Sequence, residues 1–318
     1  GTLNMCFDEW LKVDSNQLAP NTINLYKQTY NKYVKNTIGK EKLVNLKYKE
    51  IQAFINKSNI SYDNCIAIKE VLNMVFNFAV KNEYVENNPI QFIKNTKVKD
   101  KKDKNNYITY EEYQTLTNKL NQGSFNDHAI SIAISIGYYT GLRVSEILAL
   151  NKNDFDFINN TISVTKQIAN RNTKAKETTT KNILKTISSN SLLPLVNELK
   201  EILLVWFDIN PYEVVVCNKK GLYFNPVNIQ AKAKAIAKTL NIEGFHFHML
   251  RHTLITNLYT NGVDVKTTQE LARHSNINTT LNVYTHLEQK NNFKALSSVF
   301  DKNYPKNTPK IQEREMLS

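Results

Sequence analysis

From Ala129 to Tyr139 the chain reads Ala-Ile-Ser-Ile-Ala-Ile-Ser-Ile-Gly-Tyr-Tyr, with no charge on any side of a helix. A helix that is apolar all round must be buried, so the chain around it has to supply a core on every side. The run is too short to cross a bilayer. It leads into Thr140-Gly141-Leu142-Arg143-Val144-Ser145-Glu146, where Gly141 breaks the helix and a new one begins with Arg143 and Glu146 one turn apart. A guanidinium beside so apolar a helix is costly without a partner. Either Glu146 neutralises it or a ligand phosphate does, and both can hold.

At 318 residues the chain exceeds the usual single domain, and 41% hydrophobic residues are enough for two cores. The formal net charge of +12 points to a polyanionic partner, with nucleic acid as the first expectation. An anionic membrane surface is the rival, but there is no spanning run, no signal-like start and no basic amphipathic anchor. Cys6, Cys65 and Cys217 are odd in number, far apart and in no metal-ligand spacing, which fits a reducing cytoplasm better than a disulfide scaffold. Lysine is the default cation, and arginine stands only at 143, 171, 251, 273 and 314. An arginine kept against that bias suits a place where a planar fork meets phosphate.

Residues 1–94 read as a small all-helical domain. An amphipathic segment holds Phe7, Trp10, Leu11 and Val13. A helix from Pro20 carries Ile23, Tyr26, Tyr30 and Tyr33, and further helices are expected over Lys49–Ile55 and Tyr62–Val80. Lys27, Lys32 and Lys35, interleaved with tyrosines, are candidate DNA-backbone contacts, with a solvated face as the plainer alternative. Residues 95–106, carrying Lys99, Lys101 and Lys102 without a large aromatic side chain, read as a basic linker whose lysines can also rest on DNA.

Residues 107–300 form the second expected domain. Thr109 and Glu112 make a capping box. Phe155–Ile168 reads as a β-hairpin turning at Asn159-Asn160, Ala169–Asn182 as a loop, Ile183–Leu195 as a strand and its exit, and Val214–Cys217 as a short strand. Helices are expected over Leu195–Phe207, Asn225–Leu240 and His248–Tyr259, the last capped at Asn261-Gly262. His248 and Arg251 then share one helical face. Asp264 is the expected N-cap of the next helix, and Asn278 that of a last one carrying Tyr284. A polar tail occupies 301–318.

The stretch His248-Met249-Leu250-Arg251-His252, then Arg273-His274, then Tyr284, suits chemistry on a phosphodiester. Arginine pairs bidentately with phosphate oxygens, and imidazole exchanges protons with the same centre. With Arg143, Lys185, His248, Arg251, His274 and Tyr284 in this order, the chain resembles the tyrosine recombinases of the phage-integrase family, most of all the integrases of conjugative transposons and integrative elements. Thr140-Gly141-Leu142-Arg143 with Glu146 is similar to the first family box. His248-x-Leu-Arg251-His252 with the His274–Tyr284 spacing is similar to the second, and Lys185-Thr186 with Leu193-Pro194-Leu195 is similar to the hairpin-lysine signature.

The resemblance implies a mainly α fold with a small antiparallel sheet, arranged as a two-domain DNA clamp of a helical core-binding (SAM-like) domain and a mixed catalytic domain. It implies cleavage by Tyr284 through a covalent 3′-phosphotyrosine, with His248 accepting the tyrosine proton. Arg143, Arg251 and His274 would donate to the phosphate, Lys185 would act as general acid, and Glu146 would support Arg143. No cofactor, metal or ATP is implied. The partners implied are double-stranded DNA core sites, a homotetramer on DNA formed from a free monomer, the tail docking on a neighbour, and an excision or directionality factor. The expected setting is the bacterial cytoplasm, at the nucleoid.

Ser191 stands where a basic residue often follows the hairpin lysine, and Arg273 where a small residue usually precedes the histidine; Arg273 is expected on a DNA backbone contact or in solvent. A start at Gly1 leads to the expectation that an arm-binding domain has been removed. His246, His248 and His252 form a weak zinc candidate, since the helix is expected to turn His252 away from the other two and a fourth ligand is missing. Rival functions are a type IB topoisomerase-like relaxation of supercoils and a catalytically silent DNA-binding regulator. Transposon integration, phage integration and chromosome-dimer resolution are not separated by the residues themselves, though the lysine-heavy composition leans toward a mobile element.

Overall fold

The computed structural model describes residues 1–57, 60–95, 106–169, 175–182, 192–274, 276–281 and 283. The chain divides into two compact units, 1–104 and 105–318.

In the first unit, α1 (Leu3–Val13), α2 (Pro20–Thr29), α3 (Tyr48–Lys57) and α4 (Tyr62–Lys81) surround one core. Thr2 and Ser61 cap α1 and α4 with their hydroxyls, and Pro20 opens α2 where a missing N–H costs nothing. α4 is the hub because Ile68, Val71, Leu72, Val75 and Phe76 are all fully buried. The Phe7 and Tyr30 rings stack at 3.6 Å, and the Tyr30 hydroxyl donates to Asn4 Oδ1 at 2.9 Å, which lets a polar ring end sit in the core. Tyr30 is thus core, while Lys27, Lys32 and Lys35 are exposed. Asn88 ties the segment after α4 back to it, donating to Asn73 and Asn77 and accepting from the Ile90 N–H.

The second unit is built on the apolar run. The helix α5 (Tyr110–Asn121) carries the capping box of Thr109 and Glu112, and α6 (Phe125–Thr140) has every residue from Ala129 to Tyr138 buried. Two serines inside α6 are accommodated by hydrogen bonds: Ser135 accepts from the Tyr113 hydroxyl at 2.9 Å, and Ser131 donates to the Thr117 carbonyl at 3.5 Å. A one-turn helix, α7 (Val144–Ile147), follows. Strands β1 (Phe155–Asp156), β2 (Thr161–Ser163) and β5 (Leu192–Pro194) form an antiparallel sheet in the order β1-β2-β5, with Phe155 opposite Ile162 and Ile162 opposite Leu193. Asn160, at φ 51°, supplies the left-handed residue of the β1–β2 turn.

The polar stretch expected as a loop differs. β3 (Lys166–Ile168), at the end of the expected hairpin, and β4 (Thr180–Asn182), within the expected loop, pair antiparallel in a separate two-stranded ribbon, with Ile168 buried in the core. Val214–Cys217 also differs from a regular strand. Its ends make isolated bridges to Asn151 and Tyr223, and its buried middle residue Val215 accepts the Trp206 indole N–H at 2.8 Å.

Helices α8 (Asn197–Ile209), α9 (Pro226–Thr239), α10 (Phe247–Thr260) and α11 (Val265–Leu271) complete the unit. Asp264 caps α11, accepting from the Lys266 and Thr267 N–H groups. Gly137 lets α10 approach α6 closely, since a Cβ there would lie 2.7 Å from Leu250 Cδ1. α10 is also fixed to the start of the unit, where the Ile108 N–H donates to Thr253 Oγ1 at 3.0 Å. Among the described residues no helix is long and apolar enough to cross a membrane.

Candidate active site

The site forms where the end of α6, the start of α7, the middle of α10 and the end of α11 meet. Gly141 ends α6 in the left-handed conformation (φ 63°), which turns the chain so that Arg143 becomes the first residue before α7. Glu146, almost fully buried, uses Oε2 to accept the Arg143 backbone N–H at 2.9 Å, and its Oε1 lies 3.3 Å from Arg143 Nη1. The Arg143 side chain keeps nearly half its surface in solvent.

Arg251, on α10, is 1% exposed, which is rare for a guanidinium. Nη1 donates to the Gly141 carbonyl at 3.0 Å and Nε donates to His274 Nε2 at 2.9 Å, while Nη2 is buried without a hydrogen-bond partner. Burial first, and then the charge of Arg143, lower its pKa to about 9, so it remains a cation at neutral pH. His274 is held at both nitrogens. With Nε2 accepting, its proton sits on Nδ1, 2.9 Å from the hydroxyl of the fully buried Thr280. Burial, and then Arg251 and Arg143, push its pKa down to about 3, so the ring is neutral and orients Arg251.

His248 shares α10 with Arg251, yet its side chain reaches solvent while Arg251 points inward. Its pKa is lowered although the ring keeps contact with water: partial desolvation leads, and His252, Arg251, His246 and Arg143 add positive charge around it. The expectation that His252 turns away from His248 is corrected, because the two rings meet edge to face at 4.9 Å, as residues four apart on a helix do. Among the described residues no group of three His, Cys, Asp or Glu side chains gathers as a metal site.

The largest difference from the sequence reading is Arg273. It lies neither in solvent nor on the surface; its side chain is 5% exposed, and Nη1 sits 3.6 Å from the same Glu146 Oε1 that Arg143 approaches. Its Nε and Nη1 make no hydrogen bond. Arg143 and Arg273 thus both approach Glu146 Oε1, and with Arg251 near them the cluster carries more positive than negative charge, with donors of Arg251 and Arg273 left free. Such an arrangement is built for an anion. Thr280 is the residue of this cluster that the sequence reading did not name, and Arg273 is one it expected on a DNA backbone contact or in solvent rather than enclosed beside Glu146. For Thr280 no sequence pattern gave a signal; for Arg273 the scarcity of arginine was one.

Tyr284, Lys185, Lys99, Lys101 and Lys102 lie outside the described residues. The segment after His274 is helical at 277–281, and Asn276, rather than Asn278, caps it by accepting the Asn278 N–H at 2.9 Å.

Residues 106–291 match the phage integrase family, and residues 2–58 match the N-terminal SAM-like domain of phage integrases. The chain belongs to the phage integrase family. It is a tyrosine recombinase, an enzyme that breaks and rejoins DNA strands in site-specific recombination. A tyrosine recombinase of Thermosipho africanus is 26% identical over 88% of this chain and 94% of its own length. A XerC-like tyrosine recombinase of Caldanaerobacter subterraneus is 28% identical over 94% of this chain and 83% of its own. Among solved structures, the integrase of transposon Tn1549 in complex with a circular intermediate DNA is similar in fold, with a TM-score of 0.73 at 21% identity, covering 89% of this chain and 94% of that one. A lambda integrase dimer bound to a core site gives a TM-score of 0.65 at 17% identity, covering 87% and 96%. This integrase-family fold, mainly helical with small antiparallel sheets, agrees with the fold class read from the sequence.

Proposed function

We propose that this recombinase integrates and excises a mobile element, cutting each strand through a covalent 3′-phosphotyrosine on Tyr284. The observation that carries the chemistry is Arg251, buried with Nη2 unpartnered beside Arg143 and Arg273. A scissile phosphate placed against Arg143 and Arg251 satisfies those donors, and negative charge developing on its non-bridging oxygens is met by preorganised cations. Tyrosine ionises near pH 10 when unperturbed, so Tyr284 needs a base, and His248, kept neutral by its lowered pKa, is the acceptor. Lys185 protonates the leaving 5′ oxygen. His274 serves by fixing Arg251 through Nε2. Because the phosphotyrosine retains the phosphodiester energy, rejoining needs no ATP.

The mobile-element reading is supported by the fold shared with the Tn1549 transposon integrase, whose structure is known in complex with a circular intermediate DNA. Lambda integrase has been seen as a dimer and as a tetramer on a Holliday junction, and we read this chain as a monomer that assembles into a homotetramer on paired core sites, with a directionality factor favouring excision. Its place is the bacterial nucleoid. Residues 1–94 are read as the core-binding domain, 95–106 as a linker on the DNA, 107–300 as the catalytic domain and 301–318 as a tail that docks on a neighbouring protomer.

The test begins with duplexes enriched by the protein from a random-sequence pool, rebuilt with a nick beside the cut position so that cleavage traps the covalent adduct. The wild-type chain is expected to form the adduct. Tyr284→Phe is expected to lose it while keeping duplex affinity within about threefold, because the hydroxyl is needed for attack and contributes little to binding. An adduct that persists in Tyr284→Phe places the nucleophile elsewhere.

A further inference from the structure

Arg273 sits where the backbone asks for a different residue. After α11 the Arg273 N–H donates to the Glu270 carbonyl and the His274 N–H to the Gln269 carbonyl, and Arg273 takes φ 53°. This is a helix-terminating turn in which glycine is the unstrained choice. The side chain adds a second cost, since its guanidinium is 95% withdrawn from water, with Nε and Nη1 lacking hydrogen bonds. Strain of this kind persists where the surroundings fix it, often at functional sites.

What Arg273 touches is Glu146 Oε1, the oxygen also approached by Arg143 Nη1. The two arginines are unequal. Arg143 is 46% exposed and can swing toward a ligand, whereas Arg273 is enclosed. If Arg143 leaves for a phosphate, Glu146 remains as a carboxylate only 4% exposed, and an unpaired charge so deeply buried is strongly unfavourable. A second cation already beside Oε1 removes that obstacle.

We propose that Arg273 is a positioning residue for DNA cleavage: it holds Glu146 from the enclosed side, so that Arg143 is free to transfer from the carboxylate to the scissile phosphate. This rests on the reading of the pocket as the phosphate site. As Arg143 turns outward, Arg273 Nη1 closes from 3.6 Å to hydrogen-bond distance of Oε1. The charges of the pocket also match, because the guanidiniums of Arg143, Arg273 and Arg251 with the one carboxylate of Glu146 leave two positive charges for the doubly negative pentacoordinate phosphorus centre.

The test uses the full-length chain and the nicked duplex recovered above, reading single-turnover adduct formation at saturating duplex, duplex Kd and Tm. Arg273→Gly removes the guanidinium and relaxes the turn. It is expected to slow adduct formation by roughly 100-fold, the scale of a misplaced catalytic group, with Kd within about threefold and Tm unchanged or raised. Arg273→Lys, which keeps the charge, should recover much of the rate. In a Glu146→Gln background the neutral amide no longer needs a counter-charge, so Arg273→Gly should cost little more. A wild-type rate in Arg273→Gly overturns the proposal. So does an undiminished loss in the Glu146→Gln background, or a fall in Tm that Arg273→Lys does not restore. Arg251→Lys separates the two readings: if it cleaves like wild type, the phosphate pocket itself is wrongly placed; if it is inactive while Arg273→Gly is active, only the role of Arg273 fails.

Discussion

At the scale of single residues, the site shows how a buried histidine can be a structural acceptor and a stability sensor together. His274 accepts from Arg251 Nε and pairs with Thr280, which fixes its tautomer and ring plane. Its pKa, lowered to about 3 by burial and then by Arg251 and Arg143, lies below the unfolded value. As pH falls through about 6.5 the unfolded chain takes up a proton that the folded ring refuses. The stabilisation is thus complete above about pH 6.5 and is lost progressively toward pH 3, at up to about 1.4 kcal/mol per pH unit. Urea unfolding at a series of pH values should show this slope between about 6.5 and 4.5, and His274→Gln should flatten it even if it lowers stability throughout. Parallel pH curves for the two proteins would assign the proton elsewhere. Arg143, His248, Arg251 and His274 could be picked out by side-chain type and spacing, and the structure brings Arg143, Arg251 and His274 into one cluster with His248 on the same helix as Arg251. Arg273 and Thr280 could not be placed this way: the first depends on an enclosed position that only the turn after α11 creates, and a lone threonine has no pattern to announce that its hydroxyl meets a ring six residues away.

Whole elements place those residues, and the junction of α6 with α10 bears most directly on them. Gly141 has three duties there: it ends α6 at φ 63°, it leaves room for Leu254, and its carbonyl receives Arg251 Nη1. In Gly141→Ala a Cβ would lie 2.8 Å from Leu254 Cδ2 on a backbone that disfavours side chains. The expected loss is about 2 kcal/mol, combining left-handed strain with local overpacking, read as a lower urea midpoint with an unchanged slope. Stability equal to wild type would mean that α10 yields without cost. The buried α6 was plain in the sequence because eleven uncharged residues admit no exposed face. The β3–β4 ribbon was hidden for the converse reason. Lys166-Gln167-Ile168 reads as part of the hairpin strand, but its partner Thr180-Lys181-Asn182 is wholly polar, so no alternation marks it and only backbone pairing reveals the ribbon. Val214–Cys217 misled in the other direction, since a short apolar run can be buried in a strand or simply as a packed connection.

For the molecule as a whole, the excess of 41 basic over 29 acidic residues is a long-range property that the few buried cations of the site do not account for. On a DNA-breaking enzyme such an excess acts mainly by displacing counterions, which raises affinity for any duplex and makes it depend on salt. Lys27, Lys32 and Lys35 are exposed, with Lys32 Nζ only 4.8 Å from the Tyr33 ring centroid, so these cations of the first unit are open to solvent. Lys99, Lys101 and Lys102 are the cations of the proposed DNA-contacting linker. Replacing these last three lysines by glutamine should weaken binding to the selected duplex and to a random duplex by the same factor. It should also reduce the slope of log K against log salt by about one for each lysine that contacts a phosphate. Anisotropy titrations over a series of KCl concentrations measure both quantities. A slope equal to wild type would show that the segment's charge is merely solvated. A loss confined to the selected duplex would instead make these lysines readers of sequence, a role that base edges rather than backbone charge would have to support.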